Sequence, residues 1–305
     1  VQRDGATNPD NFTAHRMILR KMRLAVTHFA AAYRISGDRI YAEAAENWLE
    51  EFFLREDTYM APHLAYAQAI PGVCDGRGIG IIDTLHLIDV PQAAEILRGQ
   101  IKPAVYGGLK DWFSRYLHWM NTHPNGIEER EWHNNHSVTW FAQAASFARF
   151  IGDEEMLKFC RHRFKTVLLP NQMAPDGSFP YELERTKPFN YSCFVLDNMA
   201  NICLLASSSD DDLWEFCLPD GRGMNKALEF LYPYLKDKQL WPYGPDIEHD
   251  EEWPVAMPFL AFAALHYEDE RYLELWNTLK HETGNQEIMR NIAIRCPYLY
   301  FPHYQ

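Results

Sequence analysis

Apolar side chains recur along this chain at the spacing of amphipathic helices. Within residues 14–35 they stand three or four positions apart, which is typical of a helix that buries one face. Gly37 is expected to end this helix, and Asp38 is expected to cap the next one. The same combination of a helix break and an acidic cap recurs at Ile151-Gly152-Asp153 and at Tyr267-Glu268-Asp269.

These junctions are regularly spaced. The three acidic caps are separated by 115 and then by 116 residues. Weaker junctions near Val90-Pro91 and Ser209-Asp210 divide that spacing into a period of roughly 57 residues, the length of two helices with their connections. A helical hairpin of this kind cannot bury its apolar face alone, so it must stack on its neighbours.

Long loops separate the predicted helices and contain His, Tyr, Arg and Trp. They cover residues 54–78, 124–134, 170–190 and 237–252. Long loops of this content are commonly functional. We therefore predict an all-α fold, an incomplete (α/α)n toroid of helical hairpins with long cleft-forming loops, with an open helical array as the alternative. Residues 1–305 are expected to form a single catalytic domain, with strands limited to short pairings such as residues 177–184.

Composition narrows the classes of partner. The net charge of -13 argues against nucleic acid, and it permits an anionic polymer where a few Arg and His side chains make a locally positive groove. No long apolar run without charges is present, so no membrane span is expected. The six cysteines include no CxxC pair and are predicted to be mostly buried thiols. Val1 is neither an initiator methionine nor the start of a signal peptide, so an N-terminal piece is expected to have been lost.

Two segments carry the candidate chemistry. Residues 131–140 read EWHNNHSVTW, and residues 175–185 read PDGSFPYELER. Their amide, guanidinium, imidazole and phenol groups suit elimination from a 4-linked uronate. The C5 proton of a uronate becomes removable when its carboxylate is neutralised, a task that suits an amide and a guanidinium. Asn135 and Arg185 supply these groups. Asn134 is the rival of Asn135, since one of the two is expected to cap the following helix.

Proton transfer is assigned to His136 and Tyr191. Histidine acts near neutral pH, whereas the phenol of Tyr191 needs a neighbouring cation to act as a base, which Arg185 and His136 are expected to provide. In mannuronate and glucuronate the C5 proton and O4 lie on the same ring face, so Tyr191 alone can serve as base and acid. In guluronate they lie on opposite faces, and His136 is the candidate for the second group.

These motifs resemble the signature of the alginate lyase superfamily. The resemblance rests on Asn134-Asn135-His136-Ser137 with Trp140, and on GSFPYELER at residues 177–185 with Tyr191. It includes polysaccharide lyase family 5, but one motif spacing is one residue longer and another one residue shorter than in that family. Family 38, whose members act on alginate or glucuronan, fits more closely.

The resemblance implies a toroid without metal or other cofactor, acting on an anionic uronate polymer in the periplasm or after secretion. Asparagine and arginine would neutralise the carboxylate, and histidine and tyrosine would transfer the protons. On this chain those roles fall on Asn135, Arg185, His136 and Tyr191.

Further side chains are predicted to bind the substrate. They are His63, Tyr66, Gln68 and Arg77 in the first long loop, together with Asn134, Trp140 and Trp253. For the two tryptophans a place in the core is the alternative. His133 and His136 are not expected to form a metal site, since no carboxylate or third histidine stands at ligand spacing.

Two rival functions remain open. A glycoside hydrolase would use two carboxylates on either side of the scissile bond. Its candidates form no convincing pair, and they are Asp75, Asp176, Glu182 and Glu184. A non-catalytic protein that binds uronate polymers is the second rival.

Overall fold

The computed structural model describes Asp4 and residues 13–301, and this part of the chain is built from helices. The α-helices are α1 (Ala14–Ser36), α2 (Arg39–Leu49), α3 (Val90–Ile96), α4 (Pro103–Thr122), α5 (Pro124–Arg130), α6 (Asn135–Ile151), α7 (Glu154–Arg163), α8 (Leu169–Gln172), α9 (Pro180–Leu183), α10 (Pro188–Ala206), α11 (Met224–Lys236), α12 (Pro258–Tyr267), α13 (Glu270–Thr278) and α14 (Gln286–Met289). π-Helical turns cover Glu50–Leu54 and Phe164–Leu168, and 3₁₀ segments cover Gly78–Asp89, Lys238–Leu240, Asp250–Glu252 and Pro297–Tyr300. The backbone between residues 13 and 301 forms isolated β-bridges and no strand. The prediction of an all-α chain is confirmed.

The acidic caps predicted at the regular junctions are also confirmed. Asp38 and Asp269 each accept a hydrogen bond from the backbone N–H two residues further on, at the starts of α2 and α13. Asp153 accepts the N–H of Met156 in the first turn of α7. The residues just before these caps have positive φ angles, namely Gly37 (69°), Gly152 (82°) and Glu268 (52°). Each junction thus joins a left-handed helix end to a side-chain cap, which satisfies backbone groups that the helices leave unpaired.

The chain divides into two compact units. Among the described residues, unit 1 comprises Asp4 and residues 132–142 and 158–292. Unit 2 comprises residues 13–131, 143–157 and 293–301. The expectation of one domain over the whole chain stays a prediction.

Unit 2 contains the first helical hairpin. Helix α1 packs against α2 and α3, and its buried face includes Met22 and Val26. Arg23 is buried on the same helix, where it donates to the carbonyl of Ala293 at 3.0 Å and lies 3.0 Å from Nδ1 of His86. A buried guanidinium requires such partners because its desolvation is costly.

Unit 1 is organised around α10, a helix that is buried along nearly its whole length. It packs against α9, α11 and α12. Asp246 accepts the N–H groups of Phe189 and Asn190 in the first turn of α10, at 3.0 and 3.1 Å. Asp197 accepts the N–H of Phe259 in the first turn of α12, at 3.2 Å. Carboxylates suit these positions because the first N–H groups of a helix lack partners within it and carry the positive end of its dipole.

The strand pairing predicted over residues 177–184 is wrong. Gly177 adopts a φ of 93° in a turn, and Asp176 accepts hydrogen bonds from the N–H and the hydroxyl of Ser178. Pro180 then opens α9, because the fixed φ of proline fits the first helical position. A turn followed by a short helix therefore takes the place of the predicted strand pairing.

The connection predicted over residues 124–134 is shorter than expected. Residues Pro124–Arg130 form α5, with Nδ1 of His123 accepting the N–H of Asn125. The four residues 131–134 alone connect α5 to α6, so the first candidate motif begins in a tight turn.

All six cysteines are free, and half of them match the prediction of buried thiols. Cys160, Cys193 and Cys203 are buried, Cys74 and Cys296 are partly buried, and Cys217 is exposed.

No helix in the described part of the chain, Asp4 and residues 13–301, is long and apolar enough to cross a membrane.

The buried aspartate at the start of α12 predicts a pH-dependent stability. Burial raises the pKa of Asp197 to about 7, whereas an aspartate in an unfolded chain titrates near about 4. The native state therefore holds a proton that the unfolded state releases, and the contribution of Asp197 to stability falls as the pH rises from about 4 through about 7. We expect Asp197→Asn to reduce the stability difference between pH 5 and pH 8 by on the order of 2 kcal/mol.

Denaturant unfolding at both pH values measures this difference. Asp220→Asn is the matched control, because the Arg222 backbone and side chain hold the pKa of Asp220 below its usual value and this carboxylate stays ionised across the window. A pH dependence of Asp197→Asn equal to that of the wild type would contradict the prediction.

Candidate active site

The residues predicted to act on the substrate carboxylate and protons lie in unit 1. Asn135 and His136 are the first two residues of α6. Arg185 follows the short helix α9, and Tyr191 lies in the first turn of α10. The motif residues thus stand at helix starts and in the connection between α9 and α10, where side chains are free of the regular helix surface.

The first of the two adjacent asparagines is used to cap α6. Asn134 is buried, and its Oδ1 accepts the backbone N–H of His136 at 3.2 Å. Its carbonyl accepts the N–H and the hydroxyl of Ser137 at 3.2 and 3.1 Å. The helix begins at Asn135, directly after this cap. The side chain of Asn134 is therefore committed to the helix, which leaves Asn135 as the candidate substrate ligand.

A buried glutamate joins the two segments of the motif. Glu182 is 1% exposed, and its Oε1 accepts the backbone N–H of Asn135 at 2.7 Å. Its Oε2 accepts the side-chain amide of Asn135 at 2.7 Å and Nη1 of Arg185 at 3.2 Å. Burial raises the pKa of Glu182, against the opposing effects of Arg185 and of the Asn135 donors. One carboxylate thus orients both groups that were assigned to neutralise a uronate.

The sequence reasoning did not assign this role to Glu182, which it considered as an acid of a hydrolase. The available signal was the spacing of Glu182 and Arg185, three residues apart, a distance at which side chains meet on one helical turn. The contact with Asn135 spans 47 residues of sequence, so no local pattern predicts it.

Arg185 is held from three directions. Nη1 pairs with Glu182 at 3.2 Å, and Nη2 pairs with Oδ1 of Asp4 at 2.6 Å. Oδ2 of Asp4 also accepts the hydroxyl of Thr186 at 2.9 Å. The guanidinium carbon lies 3.8 Å from the ring centroid of Tyr191, a close cation–π contact. These contacts fix the plane of the guanidinium.

The electrostatic environment of Tyr191 differs from the expected one. Burial raises the pKa of Tyr191 to about 12, although the charges of Arg185 and Arg290 lower it. Asp4 and Glu182 act in the same direction as burial. The expectation that neighbouring cations lower the pKa of this phenol is therefore wrong in its net direction, because desolvation outweighs them.

The two tryptophans predicted to contact sugar belong to the core. Trp140 is 0% exposed and packs edge-to-face on Phe141, with ring centroids 4.9 Å apart. Trp253 is 4% exposed and packs against Phe189 with ring centroids 6.1 Å apart. Neither indole presents a face to solvent, so the alternative of a core position is the correct one for both.

The substrate-binding residues predicted in the first long loop belong to unit 2. Gln68 has a positive φ of 50°, and its carbonyl and Oε1 accept hydrogen bonds from Nε and Nη2 of Arg77 at 2.9 and 3.3 Å. These two side chains thus shape the loop itself. His63 is partly buried beside Tyr66, with ring centroids 6.1 Å apart, and Tyr66 is 73% exposed. Their role in substrate binding stays a prediction.

One group of side chains among the described residues has the spacing of metal ligands. His249, Glu251 and Glu252 place ligand atoms within 4.8 Å of one another. Oε1 of Glu252 already accepts the amide of Asn285 at 2.5 Å. None of the predicted catalytic residues belongs to this group, and the expectation of an activity without metal stays a prediction.

A comparison with protein families identifies the class of enzyme. The family model described as alginate lyase matches residues 1–241, which is well over half of the chain. The chain belongs to the alginate lyase family, and it is a polysaccharide lyase. A search of curated proteins found no match.

Solved structures agree with this assignment. An alginate lyase from Bacteroides ovatus is 32% identical, with a TM-score of 0.82 over 95% of this chain and 78% of that one. A variant of alginate lyase A1-III complexed with a tetrasaccharide is 16% identical, with a TM-score of 0.69 over 99% of this chain and 81% of that one. The apo form of that variant gives 17% identity and a TM-score of 0.61 over 89% and 72% of the two chains. The predicted fold class, the (α/α)n toroid, is confirmed by these matches.

Proposed function

We propose that this chain cleaves alginate, a 4-linked uronate polymer, by β-elimination. Asn135 and Arg185 neutralise the uronate carboxylate, and His136 and Tyr191 transfer the protons. The observation that carries the proposal is the hydrogen-bonded bridge from Asn135 through Glu182 to Arg185. It holds together two kinds of donor that suit a carboxylate. The alginate lyases found among the similar structures support alginate as the polymer.

The reaction breaks two bonds of the uronate next to the scissile linkage. A base removes the C5 proton, the electron pair forms the C4–C5 double bond, and the C4–O4 bond breaks as an acid protonates O4. Neutralising the carboxylate lowers the barrier because negative charge develops on it as the C5 proton leaves. The product carries a 4,5-unsaturated uronate at its new non-reducing end.

The raised pKa of Tyr191 supports its role as the acid. With a pKa of about 12, the partly buried phenol keeps its proton at neutral pH, which is the form that can protonate O4. For guluronate, His136 takes the C5 proton from the opposite face of the sugar. For mannuronate, Tyr191 must first lose its proton to solvent, and its phenolate then takes the C5 proton and returns it to O4. The guanidinium of Arg185 against its ring stabilises the phenolate.

The contacts of the candidate acids argue against a glycoside hydrolase, which needs a carboxylic acid to protonate the leaving oxygen. Glu182 is engaged with Asn135 and Arg185. Although partial burial acts in the other direction, hydrogen bonds from Ser178 lower the pKa of Asp176, which keeps it ionised. Elimination needs neither group as an acid.

The proposal extends to substrate range, cofactor and location. Glucuronate has the same arrangement of C5 proton and O4 as mannuronate, so glucuronan is a second candidate polymer, in line with the resemblance to family 38. No metal is required, because Asn135 and Arg185 supply the charge stabilisation. A polymer substrate places the enzyme in the periplasm or outside the cell.

The first test is the ultraviolet absorbance of 4,5-unsaturated products across mannuronan, guluronan, mixed alginate and glucuronan. The wild type is expected to generate this absorbance, and Tyr191→Phe to lower kcat by about 10²- to 10⁴-fold, because the ring remains but its proton is lost. Circular dichroism and thermal unfolding of the variant check that the fold is intact.

Three results would refute this assignment. Wild-type turnover by Tyr191→Phe would remove Tyr191 from the reaction. New reducing ends without ultraviolet absorbance would indicate a hydrolase. Binding of the polymers without any shortening at high protein concentration would indicate a non-catalytic binding protein.

A second prediction concerns the division of labour between the two proton-transfer residues. His136→Ala is expected to reduce cleavage of guluronan about a hundredfold and that of mannuronan by much less, because only guluronate requires a base on the opposite face. Initial rates on the two homopolymers at equal concentration measure the ratio. Equal losses on both polymers would contradict the assignment.

A third prediction concerns the buried glutamate. Glu182→Gln preserves the size of the side chain but removes its charge and replaces one acceptor with a donor. We expect kcat/KM to fall about a hundredfold, because Asn135 and Arg185 lose their common partner and the carboxylate contacts shift. Glu184→Gln, in the exposed neighbour on the same segment, is the control and should retain wild-type rates. Full activity of Glu182→Gln would show that the bridge does not position the two donors.

A further inference from the structure

Four aromatic rings follow one another at the start of α6. The ring of His136 lies 6.4 Å from that of Trp132, which stacks on His133 at 5.6 Å with an interplanar angle of 27°. His133 in turn meets the ring of Tyr181 edge-to-face at 5.2 Å. We call these four side chains the aromatic row. All of them belong to unit 1.

The aromatic row leads from a proposed catalytic residue to the surface. His133 is exposed, Trp132 is partly exposed, and Tyr181 is 43% exposed. By contrast, Trp140 in α6 is 0% exposed, as is usual for an aromatic side chain that only packs the core. Rings that serve only to stabilise a turn gain most when they are buried, so exposed rings beside a catalytic group are typical of a binding surface.

The backbone that carries the aromatic row is fixed on both sides. Tyr181 lies in α9 next to Glu182, whose carboxylate binds the N–H and the amide of Asn135 at the start of α6. Trp132 and His133 lie in the turn just before that start. The hydrogen bonds between Glu182 and Asn135 orient the proposed carboxylate-binding groups. They therefore also fix the position of Tyr181 relative to Trp132 and His133.

We propose that the aromatic row is a subsite for the uronate unit adjacent to the one that is cleaved. This inference rests on the proposed function and names a further binding surface for it. The C–H face of a pyranose packs on the exposed rings, while the imidazole of His133 and the hydroxyl of Tyr181 provide polar contacts to its carboxylate and hydroxyl groups. The contact between His136 and Trp132 makes the subsite continuous with the residues that transfer protons.

The subsite predicts a dependence on substrate length. Tyr181→Ala and His133→Ala are each expected to raise KM for a six-residue mannuronate oligomer about three- to tenfold, the worth of one aromatic contact. The change in kcat should be smaller, and the shortest oligomer that is cleaved should show a smaller rise in KM, because it does not fill the subsite. Initial rates of ultraviolet product formation on oligomers of two to six residues measure both parameters.

Two further variants distinguish stacking from other effects. Tyr181→Phe keeps the ring and loses only the hydroxyl contact, so its rise in KM should be smaller than that of Tyr181→Ala, since aromatic packing carries most of the contact. Tyr298→Ala removes a tyrosine that is 40% exposed in unit 2, and it should leave the length dependence as it is. A loss in Tyr181→Phe equal to that in Tyr181→Ala, or an equal rise in KM at all oligomer lengths, would overturn the proposal.

A binding measurement separates this proposal from the lyase mechanism. In the slow Tyr191→Phe background, calorimetry with the six-residue mannuronate oligomer should show about three- to tenfold weaker binding when Tyr181→Ala is added. Equal affinities would refute the subsite while leaving the elimination mechanism in place. A wild-type protein that forms no unsaturated product would instead refute the proposed function.

Discussion

The buried carboxylate of Glu182 is the contact on which the candidate site depends. A charge that is 1% exposed is costly unless donors surround it. Here two donors from Asn135 and one from Arg185 satisfy it. Because Asn135 begins α6 and Arg185 follows α9, the same three hydrogen bonds join two segments that are far apart in sequence. Removing the Glu182 carboxylate would deprive the buried N–H and side-chain amide of Asn135 of their acceptor.

This arrangement recurs in unit 1. The Glu182 carboxylate accepts an N–H at the start of α6, Asp246 accepts two at the start of α10, and Asp197 accepts one at the start of α12. In each case a distant segment supplies a carboxyl oxygen as acceptor to N–H groups that the helix leaves unpaired, at the positive end of its dipole. Burial raises the pKa of all three groups, whereas the hydrogen bonds from the N–H groups lower it. In each contact, the cost of desolvating the carboxyl group therefore opposes the stabilisation by the N–H donors. The helix starts of this unit are thus held by carboxylates from elsewhere in the chain.

The sequence predicted features that depend on neighbouring residues and missed those that depend on distant ones. Asp38 and Asp269 cap their helices as expected, because a cap and its target are two residues apart. Asn135 and Arg185 were recognised from their motifs, but their link through Glu182 spans 47 residues and has no local sign. Trp140 was assigned to sugar binding, although helical spacing alone could not tell whether its face of α6 is buried. Burial is a property of the assembled fold, so the core position of this indole became evident only in three dimensions.

The same distinction applies to the reactivity of Tyr191. The sequence showed a tyrosine near an arginine, and the charge of Arg185 does act to lower the pKa of the phenol. What it could not show is the extent of burial, or the negative charges of Asp4 and Glu182, which act in the opposite direction. Under the proposed mechanism, this balance favours the protonated phenol and therefore a reaction in which Tyr191 begins as the acid. Guluronate, whose C5 proton is taken by His136, needs Tyr191 only as the acid. For a substrate that needs Tyr191 as its base, the partly buried phenol must first lose its proton to solvent. The pKa of this one phenol therefore links the choice of sugar to the packing around α10.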